Sequence, residues 1–148
     1  MARVQLDLPS QFAFSTEIPL QVNDINFAGH LGNDKLIALL QEARARFLAS
    51  LGLDPSGMKV FGAGLIIADS AVVYKSEAFY GETLRFEVAA TEFNQYGCDI
   101  VYRVNDKASS REIARAKTGM VFFDYQSRRV RPVPEDFLAL VRDGSVMV

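Results

Sequence analysis

The chain has 148 residues, of which 49% are hydrophobic and 23% are charged, and its formal net charge is −2. This length fits one domain, residues 1–148, that can bury a core without disulfides or a structural metal. The composition excludes a disordered chain, and the balanced charge excludes the strongly basic face of a nucleic-acid-binding protein.

The cellular compartment is predicted from the cysteine content and from the lack of long apolar runs. Cys98 is the single cysteine, which indicates a reducing, cytoplasmic environment. The first residues lack the apolar run of a signal peptide, and no apolar stretch is long enough to span a bilayer. We therefore predict a cytoplasmic protein without a membrane partner.

The first predicted element is a strand over Phe12–Val22, where Pro19 indicates a position near a sheet edge. Residues 23–34 follow and are rich in Asn, Asp and Gly, which is typical of turns and helix caps.

A long helix is predicted over residues 34–51. Apolar residues recur there with the period of a helix, at Leu36, Leu40, Ala43, Phe47 and Leu51. Three more widen this stripe, namely Ile37, Leu39 and Leu48. The helix is therefore expected to be largely buried. Asn33 is predicted as its N-cap, Asp34 complements its positive end, and Gly52 terminates it.

The remainder of the chain has the pattern of β-strands. Four are predicted, over Gly64–Ser76, Glu82–Phe93, Cys98–Asn105 and Ile113–Tyr125. The short breaks between them predict an antiparallel meander, and Glu135–Val141 is predicted as a short terminal helix. One long apolar helix must be covered by the available sheet. The order thus predicts an α+β fold in which a curved antiparallel sheet of about five strands wraps a central helix.

Several motifs resemble those of one family. The loop Asp24-Ile25-Asn26-Phe27-Ala28-Gly29-His30-Leu31-Gly32-Asn33 resembles the pattern D-x-D-x-x-G-H-x-x-N of hotdog-fold acyl-CoA thioesterases of the 4-hydroxybenzoyl-CoA thioesterase type. Further similar segments are Glu42-Ala43-Arg44, Phe79-Tyr80-Gly81-Glu82, Phe122-Phe123-Asp124 and Arg131-Pro132-Val133-Pro134-Glu135. The resemblance implies a hotdog fold and an acyl-CoA or acyl-carrier thioester as substrate. It also implies a homodimer or homotetramer with sites at the interface, no metal, and no cofactor apart from the coenzyme A of the substrate.

One position departs from the family pattern. The second acid of the motif is the catalytic carboxylate in the family, and this chain has Asn26 there. An amide donates and accepts hydrogen bonds but cannot act as a general base. The resemblance leaves Asn26 and the backbone N–H of Asn33 to bind and polarise the thioester, since a helix N-terminus offers free N–H groups. His30 and Asp34 are then the candidate bases.

The remaining candidate site residues are expected to contact substrate. Gly29 and Gly32 would allow close approach to the backbone, while Phe27, Leu31 and Tyr80 would line an acyl pocket. Ordinary structural roles compete with these, such as a turn for Asn26 and core packing for the aromatic residues.

Two other functions are also compatible with the sequence. A non-catalytic acyl-thioester-binding protein is favoured by the absence of the carboxylate at Asn26. A hotdog enoyl-CoA hydratase shares Asp24-x-Asn26 of a D-x-N-P-x-H pattern, but the proline is absent and the histidine falls one residue late.

Overall fold

The computed structural model describes residues 1–143. The elements are β1 (Phe14–Pro19), α1 (Asn33–Ser50), β2 (Gly64–Tyr74), β3 (Thr83–Thr91), β4 (Gly97–Asp106), β5 (Glu112–Asp124), β6 (Arg129–Val130) and α2 (Glu135–Asp143). The strands form one antiparallel sheet in the order β1-β3-β4-β5-β2, and the short β6 pairs with β5. The predicted α+β fold, with one long helix and one sheet, is confirmed.

Helix α1 and the inward faces of β3 and β4 form the centre of the core. Each inward residue of the two strands is at most 1% exposed, namely Leu84, Phe86, Val88, Ala90, Cys98, Ile100, Tyr102 and Val104. The inward face predicted for these strands is therefore confirmed, while Ala89 and Val101 on the opposite face are buried as well. On the helix side, Phe47 is fully buried and meets the ring of Phe14 edge to face, with ring centroids 5.6 Å apart.

The position of β2 corrects the predicted meander. Only β3, β4 and β5 are consecutive neighbours, whereas β2 pairs with β5 at the edge opposite β1. Because β1 already occupies the free side of β3, β2 cannot pair there, and residues 75–82 instead cross from β2 at one edge to β3 near the other. The edge position of β1 agrees with the prediction from Pro19.

The N-terminal end of α1 lies one residue from its predicted place. Gly32 is the N-cap, with φ −68° and ψ 144°, and Asn33 is the first helical residue rather than the cap. Among residues 1–143, no side chain caps the helix at this end. Asn and Gly are both favoured at the N-cap, so composition alone did not separate the two positions.

The C-terminal end of α1 agrees with the prediction. Gly52 follows the C-cap Leu51 with a φ of +77°. Its N–H donates to the carbonyl of Ala49, and the N–H of Leu53 donates to the carbonyl of Leu48, each at 3.0 Å. This is the double hydrogen bond of a Schellman motif.

The helix is less buried than its apolar stripe predicts. Its buried residues are Leu36, Leu40, Ala43, Phe47 and Leu48. Ile37 is 50% exposed because it lies on the side of the helix that the sheet of a single chain leaves open. No helix within residues 1–143 is long and apolar enough to cross a membrane.

Candidate functional site

The loop between β1 and α1 folds back on itself before the helix begins. Asp24 anchors it, because its carboxylate accepts the N–H of Gln21 at 2.8 Å and its carbonyl accepts the N–H of Gly32 at 3.0 Å. Asn26 donates its N–H to the carbonyl of His30 at 2.9 Å. Asp24 thus has a structural role in the loop.

The two polar atoms of the Asn26 side chain differ in their hydrogen bonding. Its Oδ1 accepts the N–H of Ala28 at 3.0 Å and that of His30 at 3.4 Å. Its Nδ2 has no hydrogen-bond acceptor among residues 1–143. Asn26 therefore stabilises its own turn with its acceptor and retains a donor for a ligand.

A cavity of about 390 Å³ lies at the N-terminal end of α1. Its lining consists of Asn26, His30, Leu31, Gly32, Asn33, Leu36, Tyr74, Lys75, Ser76, Glu77, Ala78 and Ile113. The motif loop and the first turn of the helix form one wall, and the end of β2 with the following connection forms the other. The two walls are joined where the N–H of Leu31 donates to the carbonyl of Ala78 at 2.8 Å.

The first backbone N–H groups of α1 are free to donate hydrogen bonds to a ligand. Those of Asn33, Asp34 and Lys35 have no acceptor in the described part of the chain. Asn33 lies in the cavity lining, and its carbonyl accepts the hydroxyl of Tyr74 at 2.9 Å. Burial raises the pKa of Tyr74, and the nearby charge of Asp34 raises it further. The cavity thus presents a helix N-terminus, which attracts a negatively charged or polarised oxygen.

His30 contacts two oxygen acceptors inside the cavity. Its Nδ1 lies 3.1 Å from the carbonyl of Leu31, and its Nε2 lies 3.3 Å from Oε2 of Glu77. Because a carbonyl only accepts, the first contact is a hydrogen bond in the tautomer that has its proton on Nδ1. Sequence reasoning missed Glu77, since it belongs to no motif and reaches the site only because residues 75–82 cross beside the helix.

The other predicted site residues are divided between the cavity and the surface. Leu31 and Gly32 line the cavity together with Asn26, His30 and Asn33. Four lie outside its lining, namely Phe27, Gly29, Asp34 and Tyr80. The ring of Phe27 is fully exposed at the tip of the loop, and Gly29 forms the turn with a φ of +84°.

The side chains of Glu42 and Cys98 are poorly suited to catalysis. Glu42 pairs with Arg46 at 2.7 Å, one helical turn on, as expected for a surface ion pair. Burial raises the pKa of Cys98 to about 12, which makes it a poor nucleophile at neutral pH. Within residues 1–143, no three His, Cys, Asp or Glu side chains are grouped to hold a metal ion.

The sequence of the chain matches one protein family. The thioesterase-like superfamily matches residues 20–141 of the chain. None of the curated proteins matches the chain in sequence.

Solved structures share the fold. A 1,4-dihydroxy-2-naphthoyl-CoA thioesterase from Synechocystis is 21% identical with a TM-score of 0.80, covering 88% of this chain and 96% of that one. A Thermus thermophilus thioesterase complexed with coenzyme A and zinc is 16% identical with a TM-score of 0.78, covering 91% and 96%. A mutant 4-hydroxybenzoyl-CoA thioesterase complexed with 4-hydroxybenzoyl-CoA is 20% identical with a TM-score of 0.77, covering 86% and 97%. The chain therefore belongs to the thioesterase-like superfamily and has the hotdog fold.

Proposed function

We propose that this chain is a single-domain hydrolase, residues 1–148, that cleaves the thioester of an acyl-CoA or acyl-carrier substrate in the cytoplasm. The observation that carries the proposal is the open N-terminus of α1 on a cavity beside the free amide donor of Asn26. No metal or other cofactor is required beyond the coenzyme A that the substrate brings.

The chemistry follows from the donors. The thioester carbonyl oxygen accepts hydrogen bonds from the N–H of Asn33 and from Nδ2 of Asn26. Both bonds strengthen as a water attacks the carbonyl carbon and negative charge develops on that oxygen. The positive end of the helix dipole acts in the same direction. Of the two bases expected from the sequence, only His30 lines the cavity, and both of its ring nitrogens already lie against oxygen atoms of Leu31 and Glu77.

Similar structures support the choice of substrate. The Synechocystis protein is a thioesterase for an acyl-CoA, and the Thermus thermophilus thioesterase was solved with coenzyme A. The 4-hydroxybenzoyl-CoA thioesterase was solved with its acyl-CoA when one of its aspartates was replaced by asparagine. An asparagine in a hotdog thioesterase is therefore compatible with binding of an acyl-CoA.

The proposal includes a homodimer or homotetramer, without nucleic acid or membrane partners. Within residues 1–143, strand β2 is an 11-residue edge strand whose outer side pairs with no other strand, and Ile67 on it is 41% exposed. Proteins seldom leave a long edge strand uncovered, because its backbone groups pair readily with another strand. Pairing of β2 with β2 of a second copy would cover this edge.

A second function is favoured by Asn26 itself. A protein that binds acyl thioesters without cleaving them would keep the cavity and the donors and dispense with the carboxylate.

The test combines turnover with binding. Purified protein is assayed against a panel of acyl-CoA thioesters with a thiol reagent, and affinity for the same compounds is measured by calorimetry. We expect turnover of at least one compound. Binding without any turnover by folded protein would contradict the hydrolase and support the binding protein.

Replacing Asn26→Asp separates the two functions further. A large gain in activity would indicate a site that has lost its carboxylate. A loss of activity would indicate that the amide works as a donor in catalysis.

A further inference from the structure

A carboxylate and an imidazole meet inside the cavity. Oε2 of Glu77 lies 3.3 Å from Nε2 of His30, and both residues share the lining with Asn26 and Asn33. The Glu77 side chain is 63% exposed and the His30 side chain 28%. The carboxylate therefore has room for a water beside it, while the ring that holds it is largely enclosed.

Two hydrogen bonds hold the backbone that carries Glu77. Its carbonyl accepts a hydrogen bond from Arg111 at 2.9 Å, and Arg111 is itself held by Glu82 at 3.1 Å. The carbonyl of the next residue, Ala78, accepts the N–H of Leu31 from the motif loop. The position of Glu77 relative to the loop is thus determined by the backbone, and its carboxylate remains available.

Other nearby carboxylates are committed elsewhere. Asp24 holds the loop, Glu42 pairs with Arg46, and Glu82 pairs with Arg111. Asp34 lies outside the cavity lining. Among residues 1–143, Glu77 is the one carboxylate that lines this cavity.

We propose that Glu77 is the general base that Asn26 cannot be, and that His30 positions its carboxylate; this inference rests on the hydrolase activity proposed above. Glu77 removes a proton from the attacking water, whose oxygen bonds to the thioester carbonyl carbon. The carbon–sulfur bond then breaks, and the proton held by Glu77 passes to the departing thiolate. The products are the free thiol and a carboxylic acid, which ionises in water.

The test compares Glu77→Gln with the wild type in steady-state hydrolysis. General-base catalysis contributes about 10²–10⁴-fold, so kcat is expected to fall by that factor. Affinity for a ketone analogue, in which a methylene replaces the thioester sulfur, is expected to stay within about twofold, because its carbonyl still meets the donors of Asn26 and Asn33. The matched control is Glu92→Gln, an exposed glutamate outside the lining of this cavity, which should keep wild-type kcat.

The outcomes separate this inference from the proposed function. Wild-type turnover with an equally active Glu77→Gln variant overturns the role of Glu77 and leaves the hydrolase standing. A wild type that cleaves no thioester overturns both. A kcat loss with unchanged analogue binding supports Glu77 as the base, whereas parallel losses of binding and kcat would overturn it in favour of a role in shaping the cavity.

Discussion

At the C-terminal end of helix α1, hydrogen bonds satisfy carbonyls of the last turn. At its N-terminal end, three backbone N–H groups have no acceptor within the described residues. Every α-helix begins and ends with backbone groups that have no partner inside it. Here Gly52 and Leu53 donate back to the last turn, and the hydroxyl of Ser50 donates to the carbonyl of Phe47 at 2.6 Å. At the other end, the N-cap residue Gly32 has no side chain that could accept these N–H groups, and Asn33 lines a cavity.

The difference shows how one helix can serve stability and function at opposite ends. Backbone groups that are buried without partners cost free energy, so a closed end strengthens the fold. An end that opens into a cavity is satisfied by water until a ligand replaces it. The N-terminal end of α1 therefore keeps its donors for a substrate at little cost to folding.

The larger expected effect on stability is at the closed end. Gly52→Ala forces a β-carbon onto a residue with φ +77°, although no atom in the described part of the chain lies within 4 Å of that carbon. The cost is conformational, about 1–2 kcal/mol of the free energy of unfolding. Thermal unfolding should show a lower Tm with unchanged kcat, and Gly52→Asn should lose less because Asn tolerates this conformation. An unchanged Tm in Gly52→Ala would mean that the closed end contributes nothing.

A smaller effect of opposite sign is expected at the open end. Gly32→Ser adds a hydroxyl that can accept an N–H of the first turn, with a gain of only a few tenths of a kcal/mol. The new β-carbon would lie 2.8 Å from Oδ1 of Asp34, which can move because it is the tip of a flexible side chain. Denaturant unfolding should show a slight stabilisation, accompanied by a lower kcat/KM, because the added oxygen competes for the open donors. A loss of stability would indicate that this end is already capped.

Much of the fold was predictable because it depends on local periodicity. The stripe from Leu36 to Phe47 and the alternation of β3 and β4 record which side chains face the core, whatever their partners. The place of β2 was not predictable in this way, since pairing with β5 rather than β3 depends on the path of residues 75–82 and on the prior occupation of β3 by β1.

The candidate site was predictable only where its residues are contiguous. Asn26, His30 and Asn33 lie in one short motif, so the sequence places them together. The one-residue shift of the cap to Gly32 depends on backbone angles that neighbouring Gly and Asn both permit. Glu77 comes from a distant segment without any motif, and only the three-dimensional crossing brings it to His30.

The central claim, that the N–H of Asn33 polarises the thioester, is tested most directly by kcat of Asn33→Pro against Asn33→Ala. Proline lacks this N–H but is favoured at the first position of a helix, and the extended ψ of 144° at Gly32 suits a residue before proline. Alanine removes the same side chain and keeps the N–H. We expect Asn33→Pro to have a kcat about 10²–10³-fold below that of Asn33→Ala, with similar Tm values. Equal kcat values in two equally stable variants would contradict the role of this donor.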